Sequence, residues 1–215
     1  MPKNSLDNET NMDIAIQHLS GSDSILAEVI SHYDKPTIQK HGNYYDELVS
    51  SIISQQLSVK AAKTIENRFL ALFDDEFPSP EQILACNIEE LRSVGISRPK
   101  ACYIQDLAQK LHDGEIDFTK FDELSNDEII AELVPVKGIG EWTAHMFLIF
   151  CMGRLDVLAT GDLGVRTAIQ KLYALPDLPS PVQMHDIAKA NSWSPYESVA
   201  CWYLWQSLDN NPQKQ

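Results

Sequence analysis

The residues best suited to chemistry fall in two stretches, PVKGIGEWTAHMF from Pro135 to Phe147 and ATGDLGVRTAIQKLY from Ala159 to Tyr173. In the first, Gly138 and Gly140 stand one residue apart, just before a run that reads as a helix from Glu141 to Phe150. Glycine builds helices poorly, but it supplies the backbone angles of a sharp turn and removes the Cβ that would hold another molecule off the main chain. The N–H groups of Gly138, Ile139 and Gly140 are therefore expected to be unpaired and outward, at the positive end of a helix dipole, with Ile139 turned inward as an anchor. Such a turn suits a phosphate bound through main-chain amides. An ordinary tight helix–helix connection with a glycine C-cap would give the same short pattern. In the second stretch Asp162 precedes the helical run LGVRTAIQKLY, where an N-cap is required. A capping carboxylate is also held rigid and ionised, with one oxygen left to face a substrate.

Other chemistries are poorly supported. Cys86, Cys102, Cys151 and Cys201 stand far apart and beside apolar helical stretches, which predicts reduced, buried thiols and neither a disulfide framework nor a metal cluster. The six histidines are scattered, with no His-x3-His pair. Near the C-terminus Val199, Trp202, Trp205 and Leu208 follow helical spacing, so core packing accounts for the tryptophans on pattern alone.

The elements that must position these residues are helical. Strand signals are nearly absent and helical periodicity recurs, which predicts an all-α fold. The run DELVSSIISQQLSVKAAKTIENRFLALF is too long for one typical helix, and Ser58 offers an N-cap, so two helices joined near Gln55–Leu57 are expected. Ser79 should cap the helix after a Pro-led loop, and the last residues, NNPQKQ, are expected to be disordered. At 215 residues and 44% hydrophobic content the chain can bury a core. No apolar run approaches the ~18 residues of a membrane span, and the N-terminus has no apolar leader core, so an intracellular protein with no membrane partner is expected. The net charge of −14 is uneven: residues 74–132 hold fifteen acidic and five basic residues, whereas 51–73 and 133–174, which hold the motifs, are slightly basic. An acidic body with one basic face fits a protein that meets a polyanion on a single surface.

LVPVKGIGEWTAHMF followed by DVLATGDLGVRTA resembles the helix–hairpin–helix plus Gly/Pro-Asp (HhH-GPD) signature of the base-excision DNA glycosylases, in its DNA-3-methyladenine glycosylase II branch. SIISQQLSVKAAKTI, GISRPKACYIQDLA and WSPYESVACWYLW fall in the order that branch shows, so the resemblance covers most of the chain. It implies the compact form without an N-terminal β domain: two helical subdomains, 1–38 with 149–215 and 39–148, and a cleft between them with the hairpin at its edge. It implies a monofunctional enzyme that flips alkylated purines such as 3-methyladenine or 7-methylguanine out of double-stranded DNA and hydrolyses the N-glycosidic bond. Asp162 falls on the catalytic aspartate. Lys137, Gly138, Gly140, Gln56, Ser58 and Thr143 fall on DNA-binding positions, with Gln56 filling the vacated stack. Trp142, Met146 and Trp205 fall on the base pocket. Carbonyls of Val134, Val136 and Ile139 fall where relatives hold a monovalent cation, Na+ or K+; no cofactor is required for the chemistry, and the enzyme is expected to act as a monomer. Trp142 stands where bifunctional members carry a nucleophilic lysine, so no Schiff base and no lyase step are expected. The family's iron–sulfur cysteines are absent, Lys137 replaces a usual proline, and Glu197 replaces a usual arginine. The alternatives are a helix–hairpin–helix module that only binds DNA, a glycosylase/lyase, and a glycosylase for ethenoadenine or hypoxanthine.

Overall fold

The computed structural model describes residues 4–209, with side chains described for 11–208. The described residues are all-helical, with no strand among them. The helices are α1 (Asn4–Ser22), α2 (Ser24–Ile30), α3 (Tyr44–Ser54), α4 (Val59–Leu70), α5 (Pro80–Ala85) and α6 (Ile88–Ser93). They continue as α7 (Arg98–His112), α8 (Asn126–Leu133), α9 (Glu141–Met146), α10 (Leu163–Leu172), α11 (Pro181–Ala190) and α12 (Glu197–Asp209). None is long and apolar enough to cross a membrane. The NNPQKQ tail lies outside the described residues.

The chain forms two compact units, residues 42–147 and residues 1–41 with 148–215. In the 42–147 unit, α7 is the central helix, packing against α3, α5 and α6. Its Ala101, Ile104, Leu107 and Ala108 are buried, at the 3.6-residue repeat that gives a helix one apolar face. Leu48, Ile52 and Ile53 of α3 and Phe69 of α4 complete this core. The surrounding helices are short, and their starts are set by local chemistry. Ser79 with Gln82, Asn87 with Glu90 and Ser125 with Glu128 form reciprocal capping boxes at α5, α6 and α8, satisfying main-chain donors that a six- or eight-residue helix would otherwise leave exposed.

In the other unit, α12 packs against α10, α2 and α1. A buried carboxylate organises this arrangement. Asp23, 2% exposed, caps α2 through Oδ1, which accepts from Ile25 N and Leu26 N at 3.0 Å each. Its Oδ2 accepts from Trp193 Nε1 at 2.8 Å and from the Tyr173 hydroxyl at the C-terminal end of α10. Burial, then the hydrogen bond and charge of Asp23, push the Tyr173 hydroxyl above its ordinary pKa, so it remains a donor.

Two expectations are corrected. The helix predicted from Glu141 to Phe150 leaves α geometry after Met146, and Phe147–Cys151 continue it as a π turn. The π turn shifts the register of the side chains that follow, and Phe150 emerges 42% exposed. All four cysteines are free, but only Cys151 and Cys201 are buried. Cys86 and Cys102 are half-buried: Cys86 is the C-cap of α5, where the apolar face has already ended.

Asp23→Ala strands a buried indole N–H and a half-buried hydroxyl. It should lower the unfolding free energy by about 3 kcal/mol in urea denaturation followed by tryptophan fluorescence. Asp23→Asn, which keeps an acceptor for the α2 cap, should cost markedly less.

Candidate functional site

Asp162 sits at the N-cap of α10, and its Oδ1 accepts from Val165 N at 2.9 Å. The same oxygen accepts from Trp205 Nε1 at 2.8 Å. Helix capping and an indole hydrogen bond thus converge on one atom, fixing both the side-chain torsions and the direction in which the carboxylate points. Gly164 makes the convergence possible. A Cβ there would lie 3.0 Å from Asp162 Oδ1 and 3.0 Å from Trp205 Cδ1, so any side chain would press the indole away. Phe150 lies beside the same indole, ring centroids 5.7 Å apart and planes inclined by 31°.

The loop leading to Asp162 is tied down from α12. Ser198 N donates to Leu155 O at 2.9 Å, Ser198 Oγ donates to Arg154 O at 2.7 Å, and Val157 N donates to Ser198 Oγ at 3.1 Å. One turn on, Cys201 Sγ lies 3.9 Å from Val157 O, and burial pushes this thiol up to about 12, so it stays protonated. Ser198, Cys201 and Trp205 therefore share one face of α12 and hold successive points of the segment ending at Asp162.

In the 42–147 unit the glycine turn is built as an anchored hairpin between α8 and α9. Ile139 is 3% exposed and Val136 1% exposed, so the apolar side of the turn is inside. The expectation of three outward amides is corrected for Ile139, whose N–H donates to Val136 O at 3.0 Å and closes the turn internally. The two glycines also differ. Gly138 has φ +82°, and a Cβ there would fall 2.2–2.7 Å from the Tyr103 ring, so both conformation and packing require glycine. Gly140 has φ −99°, open to any residue, and a Cβ there would meet nothing within 4 Å. Nothing among the described residues asks for Gly140, and the space beside its Cα is open.

Lys137, expected to reach a phosphate, is engaged within the protein. Its N–H donates to Asp106 Oδ2 at 3.0 Å and its Nζ pairs with Asp106 Oδ1 at 2.9 Å, although the lysine side chain remains 69% exposed. Burial alone would raise the Asp106 carboxyl; the main-chain and side-chain hydrogen bonds of Lys137, its charge and that of Lys110 outweigh burial and hold it below the ordinary carboxylate value. Gln56 occupies the turn between α3 and α4 with φ +58°, exposed. Its neighbour Gln55 points the other way, donating from Nε2 to Gly138 O at 2.8 Å. Ser58 is the N-cap of α4, accepting from Ala61 N at 3.3 Å. Lys100 donates from Nζ to Ile53 O at 2.8 Å and to Gln55 O at 2.6 Å, and burial lowers its ammonium below the usual lysine value.

Of the other expected residues, Trp142 is 47% exposed and Met146 half-buried. Thr143, expected at a DNA-facing surface, is only 6% exposed: the third residue of α9 faces the core, which leaves its main chain, not its hydroxyl, near the helix start. Val134 ends α8 and is 44% exposed. Sequence reasoning missed Gly164, Phe150, Ser198, Lys100, Tyr103 and Asp106. Only Gly164 carried a local signal, a glycine in the first turn of a helix, where propensity disfavours it. Among the described residues no group of three or more His, Cys, Asp or Glu side chains is placed to hold a metal ion.

An all-helical chain with an anchored glycine hairpin, followed by a capped aspartate in the next helix start, is the arrangement of one DNA-repair family. The HhH-GPD superfamily base excision DNA repair proteins match residues 49–192, well over half of the chain, and the chain belongs to this family. It is 34% identical over 203 residues to DNA-3-methyladenine glycosylase 1 of Schizosaccharomyces pombe, covering 92% of this chain and 88% of the yeast protein. Its structure is similar to the DNA-3-methyladenine glycosidase of Bacillus halodurans, with TM-score 0.83, 35% identity and coverage of 93% of this chain and 91% of that one. It is likewise similar to S. pombe 3-methyladenine DNA glycosylase in complex with abasic DNA, with TM-score 0.75, 33% identity and coverage of 92% and 97%.

Gly138→Ala combines a left-handed backbone with overlap onto Tyr103. The expected outcome is a loss of about 2–4 kcal/mol of stability by chemical denaturation, whereas Gly140→Ala should stay within about 0.5 kcal/mol of the parent and fail only when DNA is added.

Proposed function

We propose that this chain is a monofunctional DNA glycosylase that hydrolyses the N-glycosidic bond of alkylated purines in duplex DNA. The observation that carries the reading is the Asp162 carboxylate, fixed through one oxygen by the α10 cap and the Trp205 indole. A base inside the duplex is out of reach and must be extruded, at a few kcal/mol that damage reduces. Gln56 fills the vacancy. The hairpin amides and the start of α9 take a phosphate, which the open space at Gly140 admits. In the unit of Asp162, Trp205 receives the base, to which we add Phe150 beside its indole; in their own unit, the exposed Trp142 and the half-buried Met146 are further base-facing residues. A purine methylated at N3 or N7 is cationic, and aromatic faces favour it by ~0.5–2 kcal/mol.

When the C1′–N bond breaks, its electron pair passes into the purine and neutralises it, so the leaving group needs no added proton. Positive charge grows on the deoxyribose instead. Asp162 opposes that charge and orients a water whose oxygen bonds to C1′, its proton passing to the carboxylate or solvent. Val165 N–H and Trp205 Nε1–H hold the carboxylate in place, so it need not reorganise during the reaction. Trp142 offers no amine, so no Schiff base forms on the sugar; only the base leaves, and the strand stays intact with an abasic sugar in it.

We further infer a single chain acting on DNA inside the cell. A Na+ or K+ ion suits the carbonyls of Val134, Val136 and Ile139, because Val134 closes the C-terminal, partially negative end of α8 and the donors are all neutral oxygens. Bound there, it would add positive charge beside the phosphate; the catalytic step does not pass through it.

Asp162→Asn should reduce release of free methylpurine from methylated DNA by at least roughly a thousandfold, with binding to abasic-analogue DNA retained within a few-fold. Strand breaks should follow only after alkali. Ordinary turnover by this variant would remove Asp162 from the mechanism. Trp205→Phe keeps an aromatic face and deletes the N–H; we expect kcat to fall roughly ten- to a hundredfold with KM little changed, in single-turnover and steady-state assays. A change in KM alone would mean that the indole serves the base and not the carboxylate.

A further inference from the structure

Helix α7 presents Lys100, Tyr103 and Asp106 at intervals of three residues, a spacing that aligns them along one face. Each grips a different piece of main chain. Lys100 holds the carbonyls of Ile53 and Gln55 at the end of α3. Tyr103 fills the space over Gly138, and Asp106 holds the N–H and ammonium of Lys137. Gln55 Nε2 then joins the two pieces directly by its bond to Gly138 O. The turn carrying Gln56, α7 and the hairpin thus form a closed circuit of contacts.

Resting on the reading of the chain as a base-flipping glycosylase, we infer that Lys100, Tyr103 and Asp106 are positioning residues. They join the Gln56 turn and the glycine hairpin into one preorganised surface, so that phosphate capture at the hairpin sets Gln56 at the height of the base stack. The turn needs outside support. Gln56 adopts a left-handed conformation that costs a non-glycine residue roughly 1–2 kcal/mol, and the last carbonyls of α3 have no helical partner. A lysine at that C-terminus answers both problems, since a cation there is favoured by the helix dipole while its two hydrogen bonds fix the peptide next to Gln56. Asp106 acts at the other end through a main-chain N–H, a hairpin group that moves only if the backbone moves. Neither Lys100 nor Asp106 is itself assigned to DNA. Their effect is to remove the ordering cost that two independently mobile loops would impose on base extrusion.

The experiment measures base extrusion and base release separately. Duplexes carrying 2-aminopurine beside a 7-methylguanine report unstacking by fluorescence, free base is quantified in parallel, and a duplex with a tetrahydrofuran abasic analogue reports binding that needs no extrusion. Lys100→Met and Asp106→Asn should each lower the extrusion equilibrium roughly tenfold, equivalent to about 1.4 kcal/mol, with abasic-analogue affinity changed less than about threefold. The double variant should be close to the worse single variant, because a coupled surface is lost once. Lys100→Arg, which retains a bridging cation, should restore extrusion, so a folding defect in the methionine variant would not leave the matter open. Additive losses near a hundredfold, unchanged extrusion in both singles, or an equal loss on the abasic duplex would each overturn the inference. Absence of free base from the wild-type protein, by contrast, would sink the glycosylase reading itself.

Discussion

A single carboxylate oxygen, Oδ1 of Asp162, receives the first turn of α10 and the indole of Trp205, and most of its unit can be read as the means of keeping those two donors there. The cap alone leaves a side chain free to swing, as N-caps on protein surfaces do. Adding a second donor from another helix turns it into a fixed charge, which is the form in which a carboxylate best stabilises a developing cation. The requirement propagates outward. Trp205 approaches this closely without strain because residue 164 lacks a side chain. The approach loop stays in register because Ser198 and Cys201, on the same face of α12, hold Arg154 and Val157. At the far end of α10, Tyr173 is hydrogen-bonded to the buried Asp23, so the helix that carries Asp162 is fixed at both ends.

The other unit solves a different problem by the same device. On the proposed function its task is to present main-chain groups, which have no side-chain rotamers to adjust and must be placed by the backbone itself. Here α7 has the part that α12 has in its own unit: residues three or four apart on one helix each take hold of a neighbouring segment. The chemistry of the grips differs with what is gripped. Carbonyls at a helix end draw a lysine, an amide in a hairpin draws an aspartate, and a glycine with positive φ leaves a hollow that a tyrosine ring fills. On both helices the stripe lies on an element that also buries apolar side chains in its unit's core, Ile104 and Leu107 on α7 and Val199 and Leu204 on α12.

Much of this was legible in the sequence, and the limits are physical. The all-α fold, the break after Ser54, the Ser58, Ser79 and Asp162 caps and the inward Ile139 all follow from rules acting within four or five residues, and the structure has each of them. The glycine turn was legible in outline and wrong in detail. That Ile139 N–H would be consumed by Val136 O, and that only Gly138 would need positive φ, depends on how the turn closes, which the pattern Gly-x-Gly does not specify. The π turn after Met146 left no trace, because FLIFC suits either helix type. The least legible contacts join distant positions. Trp205 to Asp162 spans 43 residues, Lys100 to Ile53 spans 47 and Asp106 to Lys137 spans 31. Trp205 read as core on spacing alone, and Lys100 and Asp106 carried no signal of their own; only tertiary structure gives them partners.

The net charge of −14 gives these positioning contacts their weight. A protein with many exposed cations can bind DNA loosely in several registers and let counterion release hold it there while it finds the productive one. A chain this acidic has little of that reserve. Its long-range field opposes the phosphates, and even Lys137 at the hairpin is partly neutralised by Asp106. On the proposed function attraction comes at short range, from amides and helix ends that act only when correctly placed, because a dipole weakens with distance and misalignment far faster than a net charge does. Affinity in such a molecule depends on geometry to a degree that it would not in a basic one. Spending an aspartate on the hairpin main chain, at the expense of a lysine's charge toward DNA, is a poor exchange for a protein that binds by charge and a sound one for a protein that binds by shape.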